Sequence, residues 1–289
     1  MTETRQASAF GPRKLWHSEV RASARSPTRH QVELLVAEQD GRITGMGQPR
    51  VGDVYGALLA DMFDGKRAQE IVERDDGFVM AFDGRYLLAP FREWDDANER
   101  RAMRLVRGRV LDVGCGGGRV CLHLQGRGVE VIGIDSSPGA VAFCIRRGVR
   151  DARVLSIDAI DSSLGVFDTI VMLGQNFGML GSRARARRLL GRFARVTTSR
   201  GRIVAETFDP HALDDPVQRT YCEGNRRRGR MPGQLRVRVR YRELATTWLE
   251  WLQVSPEELG ELLHGTGWQL ARTVGNGPSY VAIIEKIEL

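Results

Sequence analysis

The sequence predicts an α/β fold built on a mostly parallel sheet of seven strands with helices on both faces. From Arg109 onward, short apolar runs alternate with segments of helical periodicity, which is the order that a parallel sheet requires. The last two runs differ, because the turn Gly275-Asn276-Gly277-Pro278 joins them and predicts a C-terminal antiparallel hairpin.

Each element follows from its local pattern. The predicted strands are the apolar runs 109–113, 129–134, 153–157, 167–173, 201–208, 268–274 and 279–286. Amphipathic periodicity between these runs predicts helices at 118–126, 138–146 and 182–196. Another helix is predicted from Ser255, because Ser-Pro-Glu-Glu is typical of an N-cap followed by proline.

An insertion follows the fifth predicted strand. Arginine alternates with Val and Tyr over 236–242, which predicts a half-buried antiparallel strand with 246–254 as its partner. This alternation places all four arginines on one face of the strand. That face is either simply solvated or paired with Glu223, Glu243 and Glu250, a bound anion, another subunit or RNA. The segment 210–234, rich in polar residues, Gly and Pro, is predicted to be irregular.

The chain is expected to consist of a peripheral arm, a cap and one main domain. The expected bounds are a flexible arm over 1–31, an N-terminal helical cap over 32–108, and a main domain over 109–289 that contains the insertion 210–254. Within the cap, apolar residues recur on one face of 53–63 and 92–106, which predicts two helices.

Composition limits the class of protein. No apolar run reaches the roughly 18 residues that a membrane helix needs. The four cysteines lack Cys-x-x-Cys spacing and the five histidines are scattered, so we expect a reduced, cytoplasmic protein without a metal site. The net charge of +7 is compatible with an acidic substrate or with nucleic acid, but it requires neither.

The most informative motif is the glycine loop after the first predicted strand. Gly114, Gly116 and Gly118 follow Val110-Leu111-Asp112-Val113 and precede a helix, an arrangement that lets a ligand approach the backbone. A dinucleotide site would place a third glycine at position 119, for close packing of helix on strand. Arg119 stands there, which disfavours a nicotinamide-dependent oxidoreductase.

From about residue 92 to 289, apart from the insertion, the glycine loop, the order of elements and the final hairpin resemble the class I S-adenosylmethionine-dependent methyltransferases. The resemblance implies a Rossmann-like fold with S-adenosylmethionine as cofactor. The loop residues Asp112, Gly114, Cys115, Gly116 and Gly118 would lie beneath the methionine part. The remaining implied contacts are Asp135 and Ser136 at the ribose, Asp158 and Ala159 at the adenine, and Leu173 and Gly174 near the sulfonium.

Methyl transfer by in-line displacement needs positioning and water exclusion more than covalent help, so few catalytic residues are expected. The catalytic candidates are Asn176, His211 and Tyr86, and the substrate-binding candidates are Asn176, Glu206, Arg238 and Arg240. Each has a structural alternative: Asn176 can cap a helix, His211 can be an exposed loop residue, and Tyr86 can belong to the core.

The favoured function is methyl transfer to a small molecule, with anionic or aromatic acceptors among the options. One alternative is an RNA methyltransferase that uses the arginine-rich insertion and the N-terminal arm. Another is a module that binds S-adenosylmethionine without catalysis. A homodimer is compatible with the sequence, and no membrane association is expected.

Overall fold

A computed structural model describes residues 49–94, 96–275 and 277–287. The expected flexible arm, 1–31, and the first part of the cap lie outside these residues. The strands are β1 (Arg50–Val51), β2 (Gln69–Arg74), β3 (Val79–Asp83), β4 (Val110–Val113), β5 (Val131–Asp135), β6 (Ala152–Val154), β7 (Phe167–Met172), β8 (Thr197–Phe208), β9 (Gln234–Tyr241), β10 (Leu244–Ala245), β11 (Leu249–Leu252), β12 (Trp268–Val274) and β13 (Ser279–Lys286). The α-helices are α1 (Val54–Phe63), α2 (Ala97–Ala102), α3 (Arg119–Gly126), α4 (Pro138–Arg146), α5 (Arg183–Arg195), α6 (Pro216–Arg227) and α7 (Pro256–Leu263).

The main sheet has the strand order β12-β13-β8-β7-β4-β5-β6. Strands β4 to β8 run parallel, whereas β13 pairs antiparallel with both β8 and β12. The predicted seven-stranded, mostly parallel sheet with a C-terminal antiparallel hairpin is therefore confirmed. Its central strands are buried on both faces, which explains why they are continuous apolar runs in the sequence.

The strand order places a crevice between β4 and β7. The chain moves from β4 outward to β5 and β6, and then returns to the other side of β4 with β7 and β8. Open α/β sheets bind ligands where the order reverses in this way, outside the carboxyl ends of the strands. The glycine loop after β4 and the loop after β7 both begin at this edge.

A second sheet, which the sequence did not predict, joins the cap to the insertion. Its order is β1-β10-β9-β2-β3, with β11 also paired to β9. The cap contributes the antiparallel hairpin β2–β3, and the insertion contributes β9, β10 and β11. The expected helical cap is thus only partly helical: α1 is present, but the helix expected over 92–106 shortens to α2 with 3₁₀ turns on both sides.

The segment 210–234, predicted to be irregular, contains the helix α6. Asp215 is its N-cap, since its carboxylate accepts the backbone N–H of Val217 at 2.8 Å. Pro216 occupies the first helical turn, where its missing N–H costs nothing. The prediction was wrong because it rested on the polar, Gly and Pro content of the segment, although Asp followed by Pro also starts helices. Among the described residues, no helix is both long and apolar enough to cross a membrane.

Candidate active site

A cavity of about 2060 Å³ opens at the carboxyl edge of the main sheet. Its floor includes the ends of β4 and β5 and the loops after β6 and β7. Its roof is the apolar face of the second sheet, formed by Val72, Met80, Phe82, Leu235, Val237 and Val239. Ligand pockets commonly hold about 300–1,000 Å³, so this volume leaves room for a second molecule beside a nucleoside-sized one.

The glycine loop is shaped by three positive φ angles. Gly114, Gly116 and Gly118 have φ values of 76, 50 and 78°, which residues with a Cβ adopt only at a cost. A Cβ on Gly116 would point into open space, with Leu87 as its nearest described neighbour at 3.9 Å. A Cβ on Gly118 would instead meet Val149 at 2.8 Å and Cys144 at 3.0 Å.

The two glycines therefore serve different purposes. Gly116 leaves the backbone open to the cavity, which is what a cradled ligand requires. Gly118 is not part of the cavity wall; it permits close packing of α3 against α4. The expected cofactor contact at Gly118 therefore remains a prediction, whereas its role in packing α3 against α4 follows from these distances.

Asp135 ends β5 and closes the glycine loop. Its carboxylate accepts the backbone N–H groups of Gly116 and Ser137, each at 2.9 Å. Each carboxylate oxygen has two acceptor sites, so capacity remains for two further hydroxyl donors. Desolvation raises the pKa of Asp135, and Ser136 beside it also lines the cavity.

Asp112 lies one strand away, on β4, and is almost completely buried. Its carboxyl accepts the Cys121 thiol at 3.3 Å, and burial raises its pKa to about 7. A group with this pKa carries a partial negative charge at neutral pH, and it turns more negative when a cation binds nearby. Asp112 lines the cavity, and its expected place beneath the methionine part of the cofactor remains a prediction.

At the other end of the cavity, Asp158 forms ion pairs with two arginines of α5. The distances are 2.6 Å to Arg185 and 2.9 Å to Arg188, and the hydrogen bond from Arg185 lowers the pKa of Asp158. Asp158 remains on the cavity wall, whereas Ala159 lies outside it. Of the eleven residues expected at the cofactor, nine line the cavity, all except Gly118 and Ala159.

The loop after β7 is held by two buried glutamates. Glu206 accepts the backbone N–H groups of Gly174 and Gln175 at 2.8 and 3.1 Å, and Glu99 also accepts that of Gly174 at 3.1 Å. Glu206 is completely buried and is not among the described residues of the cavity wall. Its expected role as a substrate ligand is therefore corrected: it positions the loop from behind.

The residues of this loop lie close to the glycine loop. Asn176 donates to the backbone carbonyl groups of Val113 and Gly114 at 3.2 and 2.9 Å, so its amide ties the two loops together. Gln175 has φ of 67°, an uncommon value for a residue with a side chain. Both side chains line the cavity, so the substrate role expected for Asn176 remains a prediction.

Sequence reasoning missed the partner of Arg119, the residue that replaces the third glycine. Its guanidinium binds both oxygens of Glu99, at 2.8 and 2.5 Å, and stacks on Trp94 at 4.3 Å from the ring centre. The pair lies on the cavity wall and connects the cap, α3 and the loop after β7. No local pattern indicated this pair, because Glu99 and Arg119 are 20 residues apart in different helices.

Three other candidates lie away from the cavity or are engaged in ion pairs. Arg238 and Arg240 bind Glu73 of β2, at 2.8 and 3.2 Å, on the face of the second sheet that points away from the cavity. The structure gives these arginines an acidic partner and no place on the cavity wall, which argues against their expected role as substrate ligands. His211 is partly exposed, contacts Glu258 at 3.0 Å and is not part of the described cavity wall, so its expected role as a base stays a prediction.

Tyr86, the last catalytic candidate, does line the cavity. Its hydroxyl and that of Tyr55 donate to the two oxygens of Glu70, at 2.5 and 2.6 Å. The described ranges hold no group of three or more His, Cys, Asp or Glu side chains placed to bind a metal ion.

The comparisons with known proteins agree with this geometry. A family model described as "Methyltransferase domain" matches residues 86–273, which is more than half of the chain. The protein named "Putative methyltransferase YqeM" from Bacillus subtilis (strain 168) is 28% identical over 111 residues. That match covers 37% of this chain and 44% of YqeM, so the chain spans less than half of this curated relative.

Two solved structures extend the likeness. A SAM-dependent methyltransferase from Bacteroides fragilis, crystallised in complex with S-adenosyl-L-homocysteine, is 25% identical with a TM-score of 0.69. That match covers 81% of this chain and 95% of that one. An S-adenosylmethionine-dependent methyltransferase from Clostridium acetobutylicum ATCC 824 is 10% identical with a TM-score of 0.52, covering 71% and 96% of the two chains, and it shows likeness of fold alone.

Proposed function

The chain belongs to the methyltransferase-domain family and is an S-adenosylmethionine-dependent methyltransferase, and from this premise we propose that its acceptor is a small molecule bound beneath the second sheet. The observation that carries the proposal is the roofed cavity. The roof turns its apolar face to the site and its arginines to the other side. An RNA strand is held mainly through cations that meet its phosphates, and the roof arginines that could do so are already bound to Glu73.

The residues of the cavity fit the cofactor. The open Cβ position at Gly116 provides room for the methionine part, and Asp135 retains acceptor sites for ribose hydroxyls. Bound S-adenosylmethionine supplies a methyl group on a sulfonium, so that the acceptor–carbon bond forms as the carbon–sulfur bond breaks and S-adenosylhomocysteine leaves. The protein contributes orientation and exclusion of water, which the roof and the fixed loop after β7 provide.

The test separates small molecules from RNA. The full chain is incubated with S-adenosylmethionine and either a size-filtered metabolite extract or total RNA, and S-adenosylhomocysteine formation is measured. We expect S-adenosylhomocysteine to form with the metabolites only, together with a methylated small product that mass spectrometry detects. S-adenosylhomocysteine formation that requires RNA and disappears after ribonuclease treatment would contradict the proposal. The Asp135→Asn variant provides the background rate, because its cofactor binding is expected to be weak.

A further inference from the structure

A buried carboxyl group on the cavity wall has no role in the proposal so far. Glu70 lies on β2 with 5% of its surface exposed. Its two oxygens accept one hydroxyl each, from Tyr55 and Tyr86. Among the described residues, no arginine or lysine forms an ion pair with Glu70, and desolvation raises its pKa.

Glu73, three residues along the same strand, shows by contrast that Glu70 lacks a cationic partner within the described part of the chain. Glu73, on the opposite face of β2, is neutralised by Arg238 and Arg240. A buried carboxylate without a cation costs free energy, and two neutral phenol donors offset only part of that cost. Glu70 is therefore a group whose charge a cationic ligand in the cavity would satisfy.

The position of Glu70 is set by its two tyrosines. Tyr55 and Tyr86 line the same cavity as Asp135, where the ribose is expected, and Gly174 of the loop after β7. The Glu70 cluster therefore faces the cavity in which the cofactor is expected to bind. In S-adenosylmethionine the sulfonium stands between the ribose and the amino-acid end, so an acceptor must approach there.

The charge of the wall agrees with a cationic or neutral guest. Although the whole chain carries +7, the cavity wall includes ten Asp or Glu residues and only five Lys or Arg residues. The cavity-wall arginines Arg119 and Arg185 are bound to the carboxylates of Glu99 and Asp158. The excess of acidic residues on the cavity wall would repel an anionic acceptor, which was one of the options from the sequence.

We propose that Glu70 binds the basic nitrogen of an amine acceptor whose apolar body packs against Leu235, Val237 and Val239 of the roof. The inference rests on the proposed function and names its substrate class. The ammonium gives one proton to the Glu70 carboxylate, which leaves a nitrogen lone pair. The nitrogen–carbon bond to the donated methyl then forms while the carbon–sulfur bond breaks, giving a methylated ammonium and S-adenosylhomocysteine. Glu70 afterwards releases its proton to water.

The test compares three probes that share one ring: tryptamine, tryptophol and indole-3-acetate. Each is titrated by calorimetry into the full chain saturated with S-adenosylhomocysteine. We expect tryptamine to bind at least about tenfold more tightly than indole-3-acetate, because only its ammonium group can donate a charge-assisted hydrogen bond to the buried Glu70 carboxylate. Glu70→Gln should remove the preference while it leaves the affinity for S-adenosylhomocysteine unchanged. Glu261→Gln, on the exposed face of α7 and away from the cavity, is the matched control.

Three outcomes would overturn the inference. The first is that tryptamine binds no more tightly than indole-3-acetate, and the second is that no probe binds at millimolar concentration. The third is that Glu70→Gln loses S-adenosylhomocysteine binding, which would assign Glu70 to the cofactor. The wild-type probe series decides the charge preference even if the variant fails to fold. If the protein still methylates metabolites in any of these cases, the proposed function is unaffected. If it methylates only RNA, both the proposed function and the inference about Glu70 are contradicted.

Discussion

The same substitution at two glycines of one loop should produce opposite effects. Gly116 and Gly118 share a positive φ, at 50 and 78°, so alanine at either position carries a backbone strain of about 1–2 kcal/mol. Only their surroundings differ. At Gly116 the new methyl group projects into the cavity, and at Gly118 it collides with Val149 and Cys144.

The magnitudes follow from these contacts. Gly118→Ala adds overpacking of about 1–3 kcal/mol to the strain, so the free energy of unfolding should fall by about 2–5 kcal/mol in total. Gly116→Ala should lower it by the strain alone, because its nearest described neighbour is 3.9 Å away. For ligand binding, Gly116→Ala should be the more affected variant. Its methyl group overlaps the ligand, which costs about 1–3 kcal/mol, or roughly 5- to 150-fold in affinity.

Two measurements on the same preparations check this. Urea unfolding gives the free energy of unfolding, and calorimetry with S-adenosylhomocysteine gives the affinity. We expect Gly116→Ala to be a stable, weak binder and Gly118→Ala to be a destabilised protein that binds normally while folded. Wild-type affinity in a folded Gly116→Ala variant would refute the placement of the ligand over this loop, and equal destabilisation of both variants would refute the packing role of Gly118.

Three further outcomes follow from the site. Asp135→Asn should weaken S-adenosylhomocysteine about tenfold or more by calorimetry, because a carboxylate acceptor of hydroxyl donors is lost; unchanged affinity would remove its ribose role. Asp112 has a folded pKa of about 7, above the ordinary value near 4, so the folded state binds more protons and the free energy of unfolding falls as pH rises between these values. Urea unfolding at pH 5 and 8 should show that the free energy of unfolding falls less in Asp112→Asn than in the wild type. Equal falls in the two proteins would contradict the assignment of this pKa to Asp112. Glu206→Gln should accelerate hydrogen exchange at the Gly174 and Gln175 amides, and unchanged exchange there would refute its hold on the loop.

The sequence predicted the main sheet well because its strands are defined locally. A strand buried on both faces must be apolar throughout, and a helix that covers it must be amphipathic, so both periods are visible in a single chain. The N-cap and proline at Ser255 and Pro256 are equally local, and α7 begins where they place it. Candidate cofactor residues such as Asp135 could be named for the same reason, since Asp135 directly follows a predicted strand.

The second sheet could not be predicted in this way. Its strands β2 and β9 come from the cap and the insertion, and their pairing joins Glu73 to Arg238 across 165 residues of chain. Alternation over 236–242 correctly indicates which residues share a face, but it contains no information about which face meets the cavity. The arginines were therefore assigned to the substrate, although an acidic partner on a distant strand already neutralises them.

The origin of the roof also bears on specificity. The floor of the cavity belongs to the sheet that binds the cofactor, so its residues are constrained by that shared task. The roof consists of strands whose outer face is fixed by ion pairs to Glu73, while the inner face turns apolar side chains and Glu70 towards the cavity. Changes on the inner face leave those ion pairs intact, so the acceptor can be selected there without disturbing either sheet. On β2, Arg74 shares a face with Glu70 but is bound to Asp76 and Gln218, whereas Glu70 lines the cavity. The proposed selection between charged and neutral acceptors therefore centres on Glu70.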